Sequence, residues 1–485
     1  MGKKAYSNKS DKKYYITCAI PYVNAAPHVG HALEFVQGDV LARYHRLLGE
    51  DVVLLSGGDE NALKNVQAAE TAGVPVQEFV DKNNKLFEAL VEKLNCKFDV
   101  WQKGSDQEKH FPSSQKLWQL CFENGDIYEK EYSGLYCLGC ETFYEKEELN
   151  ENGECFEHIG KKLEEVKEKN YFFKLSRYQE PLIKLIKSDE LKITPTERKN
   201  EILSFLNEPL QDISISRSNE RAKNWGVPVP NDNLQRIYVW FDALNIYQTG
   251  VGFNWDSEKY KKYWPADCHV IGKGISRFHA VYWPAFLMSA NLELPKELFI
   301  HGYFTVNGQK MSKTLGNVID PVGIINKFGA DALRYYFLAK FNPFTDGDFS
   351  EEKLTDVYNA DLANGLGNLV SRIAKLAENS NFKSHINVLK HWNKDVVKNI
   401  ETFRFDEALK IIWTQISELD QKINKEEPWK LTGNDLNKFL QDVISTVIHI
   451  AYNLQPFMPE TSTKIENMFK EPNIKAVAKP LFPRI

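Results

Sequence analysis

Long apolar runs are missing from this sequence of 485 residues. No run approaches the roughly 18 residues that a membrane-spanning helix requires. The amino-terminal stretch MGKKAYSNKSDKK lacks the apolar segment of a secretory signal, and its sixth position lacks the Ser or Thr that myristoylation requires. These absences predict a protein without a membrane partner, and we expect it in the cytoplasm.

A strong excess of charge is also missing. The sequence has 61 Lys and Arg against 66 Asp and Glu, a formal net charge of −5, so the whole molecule has no general attraction for nucleic acid, although a local basic groove is compatible with this balance. In a reducing cytoplasm its seven cysteines are not expected to form disulfides. A hydrophobic content of 42% at this length predicts a globular protein of two to four domains.

The first sixty residues predict a βαβ unit. Residues 13–20 (KYYITCAI) and 51–60 (DVVLLSGGDE) are strand-like, and the apolar residues between them recur at helical spacing. Strand, helix and strand in this order favour a parallel sheet, where ligands bind beyond the carboxyl ends of the strands. His28, Gly30 and His31 form an H-x-G-H motif at that place. The motif alone is weak, because chance produces it occasionally.

Beyond these residues, the composition and the apolar spacing of the sequence change twice. Residues 112–200 are rich in Lys and Glu, whereas residues 237–244, 268–274 and 297–306 are strand-like and predict a return to the same sheet. Beyond about residue 350 the apolar spacing is helical, which predicts an all-helical domain.

Four residues have the spacing of metal ligands, in the pattern C-x2-C-x14-C-x2-H: Cys137, Cys140, Cys155 and His158. Three thiolates and one imidazole suit one structural Zn²⁺ ion per chain, because four protein ligands leave no open position for water. The alternative is that these are unrelated cysteines.

A second motif is GQKMSKTLGN at residues 308–317, on a loop flanked by glycines. Lys310 and Lys313, with Ser312 between them, suit a triphosphate whose charge must be stabilised as bonds break. Two lysines on a turn are more often only solvated. The H-x-G-H motif favours the functional interpretation.

PYVNAAPHVGH, KMSK and the cysteine-rich insertion between them resemble the class I aminoacyl-tRNA synthetases, and most closely the methionyl-specific family. The resemblance runs from CAIPYVN at residue 18 to the final LFPRI. It implies an enzyme in which His28, Gly30, His31, Ser312 and the two lysines bind ATP, accompanied by Mg²⁺. His28 and His31 would bond the phosphates, while Lys310 and Lys313 would stabilise departing pyrophosphate. An amino-acid carboxylate is joined to the α-phosphate and then transferred to tRNA.

The resemblance also implies a methionine pocket and an anticodon-binding surface. Aromatic side chains suit a thioether, although any one of them could simply fill the core. The pocket would contain Ile20, Tyr22, Asp59, Trp240, Leu244, Tyr247, Phe278, His279 and Trp283, with Asp59 pairing with the substrate ammonium. The anticodon residues would be Asn368, Arg372, Pro428 and Trp429, where the alternatives are a solvated helix face and a packing anchor.

The implied fold class is α/β: a Rossmann-like split nucleotide-binding domain with a zinc-binding insertion, followed by an all-α anticodon-binding bundle. The expected divisions are a first catalytic half, the insertion, a second catalytic half, a KMSK loop region and the helical domain, at residues 1–112, 113–200, 201–305, 306–350 and 351–485. The expected partners are ATP, L-methionine and both initiator and elongator tRNA(Met). Because no appended dimerisation domain follows, we expect a monomer.

Two positions depart from the family pattern. Asn61 stands where the family commonly has His, and Gly274 where it commonly has Asp. At Gly274 we expect water or a neighbouring carboxylate to substitute for the missing carboxylate, with activity retained. The departures keep open a catalytically silent RNA-binding paralogue. Other class I synthetases are also considered, but the chain leaves little room for an editing domain, and the zinc motif has no position for a cysteine substrate.

Overall fold

A computed structural model describes residues 12–137, 142–144, 146–156, 159–311, 316–383, 391–476 and 479–485. The strands of the described residues are, in chain order, β1 (Lys13–Cys18), β2 (Asp51–Gly58), β3 (Val100–Lys103), β4 (Ile127–Cys137), β5 (Thr142–Tyr144), β6 (Glu164–Phe173), β7 (Lys192–Thr194), β8 (Ile213–Ser214), β9 (Ser216–Ser218), β10 (Pro228–Val229), β11 (Asp232–Ile237), β12 (Cys268–Gly272), β13 (Glu297–His301), β14 (Phe304–Val306), β15 (Gln309–Lys310) and β16 (Gly347–Asp348).

The α-helices are α1 (Val29–Leu47), α2 (Leu63–Ala72), α3 (Val76–Lys93), α4 (His110–Glu123), α5 (Gln179–Lys187), α6 (Thr196–Phe205), α7 (Asn219–Ala222), α8 (Val239–Thr249), α9 (Ser257–Tyr263), α10 (Trp283–Ser289), α11 (Pro321–Phe328), α12 (Ala330–Lys340), α13 (Glu351–Val357), α14 (Asn368–Asn379), α15 (Lys394–Glu401), α16 (Phe405–Glu426), α17 (Gly433–Leu454) and α18 (Pro459–Lys470). Shorter 3₁₀ or π-helical turns occupy Lys146–Glu148, Leu175–Tyr178, Lys273–Ile275, Phe278–Tyr282, Tyr358–Gly367 and Pro428–Lys430. Among the residues that the structure describes, no helix is both long and apolar enough to cross a membrane.

The chain divides into two compact units. The first comprises Met1–Pro27, His45–Val91 and Lys97–His301. The second comprises His28–Tyr44, Glu92–Cys96 and Gly302–Ile485. The five divisions expected from the sequence remain a prediction.

A parallel sheet of six strands, in the order β3-β2-β1-β12-β13-β7, forms the centre of the first unit. Ile16 of β1 pairs with Leu54 of β2 on one side and with Cys268 of β12 on the other. The neighbours β1 and β12 lie about 250 residues apart in the chain, which confirms the split nucleotide-binding fold. The strand order reverses between them, and open α/β sheets bind ligands at such a switch point, beyond the carboxyl ends of the strands.

The strand predicted over 268–274 is confirmed as β12, and the first half of the run 297–306 is confirmed as its parallel neighbour β13. The second half of that run is wrong as a part of this sheet, because Phe304–Val306 form β14 in another sheet. The strand predicted over 237–244 is wrong, because β11 ends at Ile237 and the helix α8 begins at Val239. Every residue of α8 is buried, so no polar face shows a helical period, and a short apolar run rich in aromatic residues does not distinguish a strand from a buried helix.

The antiparallel part of the first unit consists of two small sheets, β5-β4-β6-β8 and β10-β11-β9. In the second unit, β14 pairs with β15 and β16, and beyond residue 350 the described residues contain helices and no strand. The prediction of a helical carboxyl region is therefore confirmed.

Candidate active site

The switch point of the six-stranded sheet is the first part of the candidate site. Ile20 and Tyr22 follow β1, and Asp59 follows β2 directly. Tyr22 and Asp59 form an isolated parallel bridge, and the Asp59 amide donates to the Pro21 carbonyl at 2.9 Å. This pairing holds the buried Asp59 at the carboxyl ends of β1 and β2.

Aromatic rings contributed by three segments line this end of the sheet. Trp240 lies flat on Phe278, with ring centroids 3.7 Å apart and an interplanar angle of 3°. Tyr22 meets Trp240 edge-on at 6.2 Å. Trp240, Leu244 and Tyr247 occupy α8 at intervals of four and three residues and therefore share one face. The sequence-predicted residues thus converge, with Ile20 packed against the same core.

A second aromatic group contains Tyr247, His279 and Trp283. The Tyr247 hydroxyl lies 2.8 Å from His279 Nε2, and Tyr247 lies 6.5 Å from Trp283 between ring centroids. His279 Nδ1 lies 2.9 Å from the Ile275 carbonyl, which only accepts, so Nδ1 carries the proton and Nε2 accepts from the tyrosine. Burial lowers the pKa of His279 to about 4, and the ring is neutral at pH 7.

His269 of β12 lies beneath this group and was missed by the sequence reasoning. Its ring lies 4.5 Å from the Tyr247 ring, and its Nδ1 is 2.6 Å from Thr17 Oγ1 of β1. Burial, and secondarily the neighbouring His279, lowers its pKa well below the usual value. A histidine within a strand gives no local signal that it will lie beside a pocket, since that depends on how β12 pairs with β1.

We expect the free energy of unfolding to decrease as the pH falls below about 6.5, the pKa of an unfolded histidine. His269 and His279 have lowered pKa values in the folded state, so the folded state binds fewer protons and stability is complete only above that pH. His279 contributes to this loss between about pH 6.5 and its folded pKa of about 4, and His269 contributes in the same direction. Urea unfolding between pH 7.5 and 5 measures this slope. The variant His279→Gln should show a shallower slope, and an unchanged slope would contradict the assignment.

A buried polar network behind α8 was also missed. Asp242 accepts hydrogen bonds from Ser114 Oγ at 2.8 Å and from Asn61 Nδ2 at 2.6 Å, and it lies 2.8 Å from His110 Nε2. Asn61 Nδ2 also donates to the Gly104 carbonyl at 2.7 Å. The amide at this departure from the family pattern is therefore fixed by a carboxylate. The one available signal was an aspartate inside the apolar run VWFDAL.

The other departure, Gly274, lies in the 3₁₀ turn Lys273–Ile275, directly after β12. That turn continues from the strand at the switch point. The compensation expected there remains a prediction.

The H-x-G-H motif lies in the second unit, where α1 begins at Val29. The rings of His28 and His31 stack with centroids 3.9 Å apart. The His28 amide donates to His31 Nδ1 at 3.2 Å, and the Gly30 amide donates to His28 Nδ1 at 3.1 Å. Both Nδ1 atoms are therefore acceptors, and each neutral ring carries its proton on Nε2.

Burial keeps both of these rings neutral. It lowers the pKa of His28 to about 4, and burial together with His28 lowers the pKa of His31 well below its usual value. The arrangement offers two Nε2–H donors at the amino terminus of a helix, where the helix dipole also favours an anion.

Met311 and Ile319, on either side of the undescribed residues 312–315, lie near the same helix end within the second unit. Asn307 and Gly308, both with positive φ, form the turn between β14 and β15. The Val29 amide donates to the Ile319 carbonyl at 3.2 Å. A Cβ on Gly30 would lie 3.5 Å from Met311 Cε. The Lys310 side chain, Ser312 and Lys313 lie outside the described residues, so their predicted positions stay predictions.

Of the four predicted metal ligands, Cys137 and Cys155 are described and both are buried. Their sulfur atoms lie 3.2 Å apart, too far for a disulfide. Cys140 and His158 lie outside the described residues. Within the described ranges, no group of three or more potential ligands comes together. The structure thus places Cys137, from the first predicted pair of ligands, next to Cys155, from the second pair.

The predicted anticodon residues lie in the second unit. Asn368, at the start of α14, is exposed. Arg372, one turn further, bonds Asp420 at 2.5 Å and Asn424 at 2.7 Å, both on α16. Pro428 is buried in the turn after α16, whereas the Trp429 side chain is 58% exposed. The packing interpretation therefore suits Pro428 but not Trp429.

The chain is similar to known proteins along most of its length. A family model described as tRNA synthetases class I (M) matches residues 14–374. The methionine–tRNA ligase of Brucella suis biovar 1 is 39% identical over 481 residues, covering 96% of this chain and 93% of the relative. That of Thermotoga maritima is 40% identical over 473 residues, covering 93% and 74%.

A solved structure is also similar over nearly the whole chain. The Mycobacterium tuberculosis methionyl-tRNA synthetase in complex with methionyl-adenylate superposes with a TM-score of 0.89 at 35% identity. The match covers 98% of this chain and 100% of that one.

Proposed function

The chain belongs to the methionyl-tRNA synthetases of class I, and we propose that it is a methionine–tRNA ligase in initiation and elongation. It joins L-methionine to ATP as methionyl-adenylate and transfers the methionyl group to the 3′ end of tRNA(Met). The observation that carries this proposal is the cluster of aromatic side chains at the strand-order switch, with Trp240 stacked on Phe278 and a neutral His279 beside Tyr247.

The pocket suits methionine by its chemistry. A thioether gains from sulfur–aromatic contacts, and Trp240, Phe278, Tyr247 and Trp283 supply the rings. Asp59, held at the end of β2, is the carboxylate that pairs with the substrate ammonium, while Ile20, Tyr22, Leu244 and His279 complete the wall. The pKa of His279 is about 4, so its ring is neutral at pH 7 and adds no positive charge to this wall.

We assign the phosphates of ATP to the second unit. The Nε2–H groups of His28 and His31 donate hydrogen bonds to phosphate oxygens, Gly30 lets the chain approach closely, and Lys310, Ser312 and Lys313 stabilise pyrophosphate. Mg²⁺ accompanies ATP. The support for this assignment is that Nδ1 of His28 and Nδ1 of His31 each accept a backbone hydrogen bond, so each neutral ring carries its donor proton on Nε2.

The reaction then needs no covalent enzyme intermediate. A carboxylate oxygen of methionine forms a bond to the α-phosphorus, the bond from that phosphorus to the bridging oxygen breaks, and its electron pair leaves with pyrophosphate. A ribose hydroxyl of the terminal tRNA nucleotide next attacks the methionyl carbonyl, and AMP departs. Positioning and charge stabilisation supply the acceleration.

ATP–pyrophosphate exchange with each of the twenty amino acids, without tRNA, tests the activation step. Exchange that depends on methionine alone is expected, and it would also show that Asn61 and Gly274 are compatible with activity. Absence of exchange from folded protein with every amino acid would overturn the proposal in favour of a silent RNA-binding paralogue. Exchange with another amino acid would reassign the pocket.

For tRNA(Met), we propose that Asn368, Arg372, Pro428 and Trp429 form the anticodon-reading surface. The support is the exposed indole of Trp429, which can stack on a splayed base, and the exposed amide of Asn368. Arg372 of α14 donates hydrogen bonds to Asp420 and Asn424 of α16, which fix the position from which its guanidinium would contact a base.

The variant Trp429→Ala should raise the KM for tRNA(Met) about 5- to 100-fold, since stacking of a base on an aromatic ring contributes about 1–3 kcal/mol. Methionine-dependent pyrophosphate exchange should not change. Trp255→Ala, which removes a partly exposed indole of the first unit, is the matched control. Equal effects of the two variants on the KM for tRNA would contradict an anticodon role for Trp429.

For zinc, we propose Cys137, Cys140, Cys155 and His158 as the ligands of one structural ion. The two described sulfur atoms fit this, because they are buried and converge without forming a disulfide. When bound, zinc would link residues 137–140 to residues 155–158 within the insertion, and it would supply no chemistry to the reaction. A cytoplasmic location and a monomeric state remain predictions.

Metal analysis of the purified protein should find about one zinc per chain. Cys137→Ser and Cys155→Ser should each lower the zinc content, because a Ser hydroxyl is a poor zinc ligand. Cys121→Ser, at a buried cysteine that contacts the Phe286 carbonyl, should keep it. A zinc content unaffected by the first two substitutions would reject the assignment.

A further inference from the structure

The segment Asp59–Asn61, directly after β2, is held by a side-chain hydrogen bond at each of its three residues. The Asp59 carbonyl accepts from Asn65 Nδ2, and the Glu60 carbonyl accepts from Trp225 Nε1, both at 2.8 Å. At Asn61 the side chain of the segment itself is the donor, and its Nδ2 reaches two acceptors. These bonds fix the segment that carries the carboxylate assigned to the substrate ammonium.

The two partners of Asn61 determine how its amide is oriented. Nδ2 lies 2.7 Å from the Gly104 carbonyl oxygen and 2.6 Å from Asp242 Oδ2. A carbonyl and a carboxylate only accept hydrogen bonds, so the nitrogen of the amide, and not its oxygen, faces them. The two hydrogens of this one nitrogen supply both bonds. A hydroxyl has a single donor hydrogen and could supply only one of them.

The second of these bonds ends on α8, the helix that contributes rings to the methionine pocket. Trp240 lies two residues before Asp242 and Leu244 two residues after it, and two residues rotate a helix by about 200°. Asp242 therefore lies on the side of α8 opposite to the pocket face. The bond from Asn61 joins the segment that carries Asp59 to the back of this helix.

The Asp242 carboxylate is also held from α4. Ser114 Oγ donates to its Oδ1 at 2.8 Å, and His110 Nε2 lies 2.8 Å from the same oxygen. All three residues are buried, and His110 Nδ1 lies 3.0 Å from Thr249 Oγ1 at the end of α8. A buried carboxylate is stable only when such donors surround it. Asn61 thus bonds to an acceptor whose position is set by two helices.

We propose that Asn61 and Asp242 are positioning residues for methionine activation, which couple the ammonium site to the side-chain pocket. Asn61 acts through Asp59, and Asp242 acts through α8. Their hydrogen bond sets the distance between the Asp59 carboxylate and the aromatic face of α8, and hence the length of the amino acid that spans both. This inference rests on the proposed methionine–tRNA ligase function.

Asn61→Ala should raise the KM for methionine about tenfold in pyrophosphate exchange, because a hydrogen bond to a charged group is lost and Asp59 is no longer held in place. The kcat and the KM for ATP should stay within about twofold, which also shows that the variant folds. Asn61→Ser keeps one donor hydrogen and should give a KM between those of Asn61→Ala and the wild type.

Asn170→Ala is the matched control. It removes a buried amide from β6, where Asn170 Nδ2 likewise donates to a carboxylate, that of Glu168, at 3.2 Å. The KM for methionine should stay within about twofold of the wild type in this variant. Equal effects of Asn61→Ala and Asn170→Ala would reject the positioning role of Asn61.

The des-amino analogue of methionine, which keeps the thioether and the carboxylate, distinguishes positioning of Asp59 from a general loss of packing. Its inhibition constant should be the same within about twofold in the wild type and in Asn61→Ala, because it has no ammonium for Asp59 to bind. If the analogue and methionine were weakened equally, the side-chain pocket itself would be disturbed, and the coupling would be overturned.

A double-mutant cycle with Asp242→Asn tests the pair. Asp242→Asn alone should raise the KM for methionine, since a neutral amide oxygen accepts a weaker hydrogen bond than a carboxylate does. Added to Asn61→Ala it should have little further effect, because the contact is already lost. Additive effects would show that the two residues act separately. Absence of exchange in the wild type would instead reject the proposed function itself, before any variant is compared.

Discussion

Gly30→Ala should lower methionine-dependent pyrophosphate exchange by about a hundredfold or more, with little loss of stability. A methyl group on Gly30 would lie 2.9 Å from Cε1 and 3.0 Å from Nδ1 of His28. The His28 ring would have to move, which breaks the Gly30 amide bond to His28 Nδ1 and the stack on His31. Both Nε2–H donors would then lose their direction toward the phosphates, and displacements of about 1 Å cost this much in rate.

The loss would not come from the backbone. Gly30 lies in α1, where alanine is favoured over glycine by about 1 kcal/mol. The matched control is Gly323→Ala in α11, where the added methyl group would have its nearest neighbour at 3.6 Å, an ordinary contact. Exchange within about threefold of wild type in Gly30→Ala would show that the histidine geometry does not limit the reaction.

Arg334→Met should destabilise the second unit by about 3–5 kcal/mol, because it breaks a buried ion pair by removing one partner. Arg334 of α12 and Asp39 of α1 are both fully buried, and Arg334 Nη2 lies 2.8 Å from Asp39 Oδ2. The guanidinium also donates to Leu94, Cys96, Pro456 and Phe457. Methionine fills a similar volume but leaves these acceptors with no donor from this side chain.

Lys340→Met is the matched control on the same helix. Lys340 pairs with Asp361 at 2.6 Å, but both side chains are partly exposed, and such a pair contributes about 0–1 kcal/mol. Denaturant unfolding followed by tryptophan fluorescence measures both variants. Equal losses would mean that the buried pair contributes no more than an exposed one. The double variant Arg334→Met with Asp39→Asn should recover part of the loss, because it removes the buried Asp39 charge, which has then lost Arg334 and retains Arg43.

Local sequence was sufficient to predict the features that depend on residues close together in the chain. The H-x-G-H motif and the spacing after β1 located the start of α1, since apolar periodicity and the order strand–helix–strand constrain one another. Trp240, Leu244 and Tyr247, which the family resemblance groups in one pocket, lie on one face of α8, although a strand was predicted over residues 237–244. The family motif could be matched despite the wrong secondary structure, because the spacing of its residues in the sequence is the same whether the segment is a strand or a helix.

Sequence alone determined the family, the parallel α/β core and the helical carboxyl region. Only the tertiary structure decided which nitrogen of each histidine carries the proton, that Asp242 fixes Asn61, and that Arg217 and Arg236 lie face to face. The physical reason is that a tautomer, a buried carboxylate and a strand register depend on partners far away in the chain. Asn61 and Asp242 are 181 residues apart, and no local pattern encodes a contact at that separation.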